Sequence, residues 1–297
     1  MIQPPRIVVL EDILKRRLPT YEYSEDYHRS YYGYLGEVQF LKEFPVDEAY
    51  VQLFNICIEY DKQRFEIDRL VLTGDKIFAF DVKNYFGNFQ YNEYYWKKSG
   101  GSLKNPEPQF VTMDSTFSGL IDFMNTGHSV HSHMIFINKG FSIDRKVDGV
   151  VKYYDIGRVM KRIGECSPAG SLERKMASFF TDIHRPIELH HRRPNFNFEK
   201  VKSGIQCTRC GLNVTIEADK CKNIVCKGCL KRNAKMELVR ENLVELEVLL
   251  DRPITLSEAN KWIGRGQRNI TKRVLERNFN KCERGFYSFE KYYNDLK

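Results

Sequence analysis

Nowhere in its 297 residues does this chain carry the run of about 18 apolar side chains that a membrane-crossing helix requires. The opening Met1-Ile2-Gln3-Pro4-Pro5 does not begin a secretory signal. Internal repeats and low-complexity tracts are missing too. These absences lead us to expect a soluble, cytoplasmic protein with no membrane partner. In that compartment the eight cysteines read as reduced thiols or metal ligands rather than disulfides. The length allows about two domains, each able to bury a core.

Excess positive charge is absent from most of the chain. Residues 1–200 hold 27 Lys+Arg against 27 Asp+Glu, and residues 201–297 hold 20 against 12, so the whole net charge of +8 lies in the last third. A basic segment joined to a neutral one points to a polyanionic partner, nucleic acid first.

The stretch Phe65–Asn84, FEIDRLVLTGDKIFAFDVKN, holds two apolar strands joined by a turn at Gly74-Asp75. With those two residues as the loop, Thr73 faces Lys76, Asp68 faces Asp81 and Glu66 faces Lys83. Alternation puts Glu66, Asp68, Asp81 and Lys83 on one face. Directly opposed side chains have Cβ atoms about 4.5–5.5 Å apart, so two carboxylates there repel unless a proton or cation intervenes. A hard divalent cation with oxygen ligands, Mg²⁺ or Mn²⁺, removes the conflict. The plainer alternative is an exposed hairpin end whose carboxylates pair with Lys83.

Around this hairpin the chain divides into segments. Residues 1–30 read as an N-terminal lead-in, a helix followed by a Tyr-rich stretch. Tyr34, Val38, Leu41 and Phe44 form a helical stripe that contains Glu37 and ends at Pro45. Strands are expected over residues 50–59 and His133–Asn138, and helices over Val159–Ile163 and Ser171–Ile183. The polar, basic HHRRPNFNFEKVKSG marks a linker over 187–204. It separates a domain over 31–186 from C-terminal modules over 205–232 and 233–297.

A helix with Leu35-Gly36-Glu37 is followed by strands with Glu66-Ile67-Asp68-Arg69 and Phe80-Asp81-Val82-Lys83-Asn84, then Gly87, Trp96 and Asn105-Pro106-x-x-Gln109. This order, over residues 31–145, resembles the nuclease-related domain (NERD) family of the restriction-endonuclease-like PD-(D/E)xK superfamily. The resemblance implies an α/β fold with a mixed sheet flanked by helices, and metal-dependent phosphodiester hydrolysis. It implies Asp68 and Asp81 as ligands of Mg²⁺ or Mn²⁺, with Glu37 an additional ligand from the helix. Lys83 would position the attacking water and offset phosphate charge. Asn105 and Gln109 would orient substrate or brace the site, against a plain reading as helix cap and packing amide. The family usually has Glu where this chain has Asp81, which is one methylene shorter.

Cys207-x-x-Cys210 and Cys226-x-x-Cys229 are separated by fifteen residues, within the spacing of four-cysteine zinc sites. Two such turns close a tetrahedral thiolate shell with no open position, so zinc there is structural. Gly211 and Gly228 suit the turns, and Cys221 is a substitute ligand. Downstream, Met236, Val239, Leu243, Leu246 and Leu250 form a helical stripe, and Thr255 with Glu258 a capping box. Gly264 and Gly266 form a turn before a second helix, Gln267–Phe279, from which Arg268, Lys272, Arg273 and Arg277 project. A short helix, a glycine turn and a basic helix resemble a helix-turn-helix, with Gln267, Arg268, Asn269 or Thr271 as candidates to read base edges. A helical bundle with a solvated basic face is the alternative.

These features predict a Mg²⁺- or Mn²⁺-dependent nuclease whose basic zinc and helix-turn-helix module brings DNA to it. Two rivals remain: a non-catalytic nucleic-acid-binding or scaffold protein with a degenerate acidic site, and a zinc-stabilised protein-interaction module.

Overall fold

The computed structural model describes residues 2–185, 193–216, 222–264, 266–282 and 285–289. Residues 187–192 of the expected linker, Cys221 and the end of the helical C-terminus from residue 290 lie outside the described residues. The chain forms two units, one built mainly from Arg29–Leu189 and the other from Pro4–His28 with His190–Lys297. Among the described residues no helix is long and apolar enough to cross a membrane.

Helix α1 (Arg6–Arg17) belongs to the second unit, and α2 (Glu25–Glu43) runs on into the first. The first unit then adds β1 (Val51–Tyr60), β2 (Gln63–Leu72), β3 (Lys76–Lys83), β4 (Gly87–Phe89), β5 (Tyr95–Lys98), β6 (Gly101–Lys104) and α3 (Glu107–Met124). After these come β7 (Ser129–Phe136), β8 (Phe141–Ile143), β9 (Val150–Lys152), α4 (Ile156–Gly164) and α5 (Ser171–Ile183). Five strands make a mixed sheet of order β1-β2-β3-β7-β9, antiparallel from β1 to β3 and parallel from β3 to β9. Small pairs β4-β8 and β5-β6 lie outside it.

Strand β3 is apolar on both sides because it is covered on both sides. Ile77 and Ala79 join a cluster with Phe110, Met113 and Phe117 of α3 and Met176 and Phe180 of α5. Phe78, Phe80 and Val82 join another with Phe40 of α2 and Ile156, Val159 and Ile163 of α4. Helices therefore flank both faces of a mixed sheet, the architecture that the family resemblance implies. Each large apolar side chain buried in this way contributes about 1.5–3 kcal/mol.

Helix α2 begins well before the expected stripe, and Tyr27, Gly36 and Phe40 are its buried positions; Tyr34, Val38 and Leu41 are half-buried. Gly36 has a specific reason. A Cβ there would lie 2.7 Å from Asn84 Cβ and 3.3 Å from Ile137 Cγ2. Glycine lets α2 settle onto the residues that follow β3 and β7, and so delivers the next residue, Glu37, to the end of the sheet.

In the second unit, β10 (Asn223–Val225) and β11 (Arg232–Ala234) form an antiparallel pair. There follow α6 (Lys235–Leu250), β12 (Ile254–Thr255), α7 (Leu256–Ile263), α8 (Arg268–Asn278), β13 (Asn280–Lys281) and β14 (Phe286–Ser288). The last three strands form a sheet of order β12-β14-β13. Residues 4–28, read from the sequence as part of a lead-in, pack into this core. Leu10, Ile13 and Leu14 of α1 share a cluster with Leu238, Val239, Leu243 and Leu246 of α6. Arg17 is fully buried: its guanidinium donates to Glu245 at 2.6 Å, to Asn242 Oδ1 at 2.5 Å and to the Lys202 carbonyl at 2.8 Å. Its partners lie more than 180 positions away, so no local pattern could reveal them.

Gly36→Ala is expected to cost about 1–3 kcal/mol, the usual penalty of forcing a methyl into a packed contact. Gly33 lies one turn earlier, where a Cβ would meet nothing within 4 Å. Gly33→Ala should therefore stabilise α2 by about 0.5–1 kcal/mol through helix propensity. Urea unfolding of the two variants should move the midpoint in opposite directions.

Candidate active site and metal centre

Strands β2 and β3 pair in the expected register, from Arg69–Phe80 to Leu72–Ile77, and the Thr73 N–H donates to the Lys76 carbonyl at 2.9 Å. The ladder ends at Arg69–Phe80, one pair short of Asp68 and Asp81. There the Val82 N–H donates to Asp68 Oδ2 at 2.6 Å, a side-chain carboxylate standing where a backbone acceptor would be. Strand β1 is disturbed at the same level. Asn55, between the pairs Phe54–Arg69 and Ile56–Ile67, has φ 51, a left-handed conformation uncommon outside glycine. Phe65 and Ile67 share an apolar cluster with Leu70 and Leu72, so the two-residue alternation of β2 slips across Asp68.

The slip gathers charge at one end of the sheet. Glu37 arrives from α2 and accepts a hydrogen bond from Asn55 Nδ2 at 3.2 Å. Lys83 Nζ donates to Asp81 Oδ1 at 2.6 Å, with the two side chains 17 % and 13 % exposed. Glu66 completes the group, and of the two pairings open to Lys83, with Asp81 or with Glu66, it takes Asp81. Burial pushes the Glu37 carboxyl up to about 7, against the Asn55 hydrogen bond and with the help of Glu66. Burial and then Asp81 raise Glu66. Burial, Asp81 and Glu37 hold Asp68 well above the carboxylate range. Burial works against the Lys83 ammonium, but Asp81 and Asp68 outweigh it and raise its pKa.

The structure thus brings Glu37, Asp68, Asp81 and Lys83 together. Their donor set suits a hard divalent cation, because every candidate ligand is a carboxylate oxygen and the raised acid pKa values report burial and, after it, mutual repulsion, both of which a cation would offset. Among the described residues no three carboxylates bring ligand oxygens within 4.8 Å of one another. Asn105 and Gln109 do not join the group. Asn105 Oδ1 accepts from the Glu107 N–H at 2.9 Å and its Nδ2 donates to the Glu93 carbonyl at 3.0 Å, so it braces the start of α3, while Gln109 is exposed. Sequence reasoning passed over Asn55. The available signal was a turn-forming amide in the middle of a strand-like run.

The four cysteines form a second centre. The sulfurs of Cys207, Cys210, Cys226 and Cys229 all lie within 4.8 Å of one another, with Cys207–Cys229 at 3.7 Å and Cys210–Cys226 at 3.5 Å. Zinc–sulfur bonds of about 2.3 Å in a tetrahedron require sulfurs about 3.8 Å apart. The two turns are built alike. Gly211 N–H donates to the Cys207 carbonyl at 2.8 Å, and Leu230 N–H to the Cys226 carbonyl at 2.9 Å. Gly211 has φ +72, as expected for its turn, but the equivalent residue of the second turn is Leu230, at φ 57, and not Gly228. Gly228 serves close approach instead: a Cβ there would lie 3.1 Å from Leu212 Cδ2. Backbone N–H groups of Cys229 and Gly228 hold Cys226 at about 6, favouring the thiolate that a metal needs.

Further along, Gly264 and Gly266, at φ +109 and +84, turn the chain between α7 and α8. The capping box is present: Thr255 Oγ1 accepts from the Glu258 N–H at 3.2 Å, and Glu258 Oε2 from the Thr255 N–H at 2.9 Å. Arg268, Lys272, Arg273 and Arg277 are exposed on α8, opposite buried Thr271, Val274 and Leu275. Of the four candidate base readers, Thr271 is buried and Gln267 donates to the Ile216 carbonyl at 3.3 Å. Arg268 and Asn269 are the exposed pair.

Two outcomes follow from this geometry. The folded pKa of Glu37 lies above its ordinary 4.5, so its stabilising contribution is full below that value and lost as pH rises through about 7. Without added metal, thermal stability should fall from about pH 5 to about pH 8, and Glu37→Gln should flatten that decline. Parallel curves for the two proteins would refute the assignment. Metal analysis should find about one zinc per chain, lost in Cys207→Ser together with folding of its surroundings, since such sites contribute on the order of 10 kcal/mol. Zinc retained at full level in Cys226→Ser would transfer the ligand role to Cys221.

No curated protein and no solved structure matches the chain. Residues 32–137, which run from α2 through β7 and include Glu37, Asp68, Asp81 and Lys83, match the family model of the nuclease-related domain, NERD.

Proposed function

We propose that this chain is a divalent-metal-dependent nuclease that hydrolyses DNA phosphodiester bonds and is held to nucleic acid by its C-terminal zinc and helix-turn-helix segment. The observation that carries this reading is the convergence of Glu37, Glu66, Asp68, Asp81 and Lys83 at one end of the sheet, inside the stretch that matches a nuclease-related domain. Asp68 and Asp81 would hold Mg²⁺ or Mn²⁺, with Glu37 completing the set. A bound metal supplies Lewis acidity and a water of lowered pKa. Lys83, held as the ammonium by its two aspartates, offsets phosphate charge and orients the attacking water, and does not take that water's proton. Asn55 aims Glu37 through its side-chain hydrogen bond. Zinc on the four cysteines is structural, and the basic face of α8 contacts phosphates. A chain of this kind, with reduced thiols and no spanning helix among the described residues, suits the cytoplasm.

The second reading is a nucleic-acid binder that does not cut. Asp81 is shorter than the family's usual Glu, and its Oδ1 is engaged by Lys83. Supercoiled plasmid incubated with Mg²⁺, Mn²⁺ or EDTA separates the two. Nicking or linearisation is expected with either metal and not with EDTA, and Asp68→Asn should reduce it by about a hundredfold or more. A wild-type chain that binds nucleic acid but cuts neither plasmid nor a single-stranded oligonucleotide in any metal sinks the nuclease and leaves the binder.

A further inference from the structure

We infer that the strand entering the carboxylate site is single-stranded nucleic acid, with an unpaired base stacked on Phe86; this rests on the nuclease reading for the identity of the ligand. Phe86 is 67 % exposed, yet it is not loose. The edge of its ring abuts Gly140, where a Cβ would come within 2.5 Å of Cε2 and 2.7 Å of Cδ2. Its backbone is held on both sides. Lys98 Nζ donates to the Phe86 carbonyl at 3.0 Å, and the Gly87 N–H donates to the Gly140 carbonyl at 3.1 Å. One ring edge is packed and most of the ring is open to solvent, a preorganised platform.

The platform belongs to the rim of the acidic site. Phe86 follows Lys83 by three residues, a reach of at most about 11 Å. Asn84 ties the rim together. It packs against Gly36 beside Glu37, accepts from Asn138 Nδ2 at 3.2 Å and donates to the Tyr32 carbonyl at 2.9 Å. Asn138 Oδ1 in turn accepts from the Gly140 N–H at 3.0 Å, closing the path back beneath Phe86. Tyr32 is a second exposed ring on this rim, at 56 %. The space one turn from Glu37 along α2 is open, since a Cβ at Gly33 would touch nothing within 4 Å.

An aromatic rim beside a phosphate-handling site selects by what the substrate can present. A duplex hides its base faces in the stack and offers only edges, whereas an unpaired base offers a face. Lys98, with its Nζ at the Phe86 carbonyl, supplies positive charge for a phosphate backbone beside the ring. An acidic site rimmed by rings thus favours a single strand, an overhang or a frayed end over an intact helix.

The test uses the full chain and a short single-stranded oligonucleotide carrying 2-aminopurine, whose fluorescence is quenched by stacking, with Ca²⁺ in place of Mg²⁺. Quenching is expected with wild type and with Phe86→Tyr. With Phe86→Leu, which keeps the apolar bulk without the aromatic face, the single strand should bind about tenfold or more weakly at this site and the quenching should be lost. Equal quenching in wild type and Phe86→Leu, or none in either, overturns the inference. Cleavage is scored separately with Mg²⁺ or Mn²⁺. Phe86-dependent quenching without any cleavage would leave the stacking site standing and remove the nuclease. Cleavage that falls with Asp68→Asn but is equal on duplex and single strand, and indifferent to Phe86→Leu, would do the reverse.

Discussion

Four carboxylates around one ammonium are the constraint that shapes the end of the sheet. Glu37, Glu66, Asp68 and Asp81 are crowded into partly dehydrated space, and Lys83 alone cannot neutralise them. Each local irregularity answers that crowding. The β2–β3 ladder ends one pair early, the Asp68 carboxylate takes the Val82 N–H, and Asn55 adopts a left-handed conformation opposite Asp68 while its side chain holds Glu37. A protein selected only for stability would not keep such a group, because buried charge without full compensation is costly. Strain kept at one end of the sheet is what singles this cluster out as the candidate functional site.

The rest of the first unit supports that end. Strand β3 is buried on both sides by helices, which fixes the hairpin that carries Asp81 and Lys83. Gly36 is the smallest piece of this support and one of the most specific. Without a side chain there, α2 can approach Asn84 closely enough for Glu37 to reach the cluster.

The second unit is organised by a different polar centre. Arg17 is buried with Glu245 and Asn242, and its guanidinium lies 4.5 Å from the Trp262 ring. Asn242 also accepts from the Gln206 N–H at 2.8 Å and donates to the Gln206 carbonyl at 3.0 Å. Gln206 immediately precedes Cys207. The arginine network of α1 and α6 is thereby joined by hydrogen bonds to the residue that enters the first cysteine turn. A metal bound at the cysteines and the packing of the helices would support one another within this unit, although zinc sites are often pictured as separate beads on a chain.

Much of this was legible in residue order alone. The register of the Phe65–Asn84 hairpin, the four-cysteine spacing, the Thr255–Glu258 cap and the basic face of α8 each depend on residues close together in sequence, where period and turn chemistry dictate geometry. Local reasoning failed where partners are distant. Helix α1 looked like a lead-in because its apolar stripe and Arg17 are satisfied only by residues beyond 200. Asn105 left two readings open, site support or helix cap, and its bonds to the Glu107 N–H and the Glu93 carbonyl favour the cap. Gly228 looked like the turn former, while the left-handed position fell to Leu230 and the glycine was needed against Leu212. Sequence determines what each segment can present. Which of those groups is buried, and therefore which pKa moves and which charge must be offset, is decided by the side chains that tertiary packing brings against it, because desolvation and Coulomb energy depend on distance in space and not along the chain.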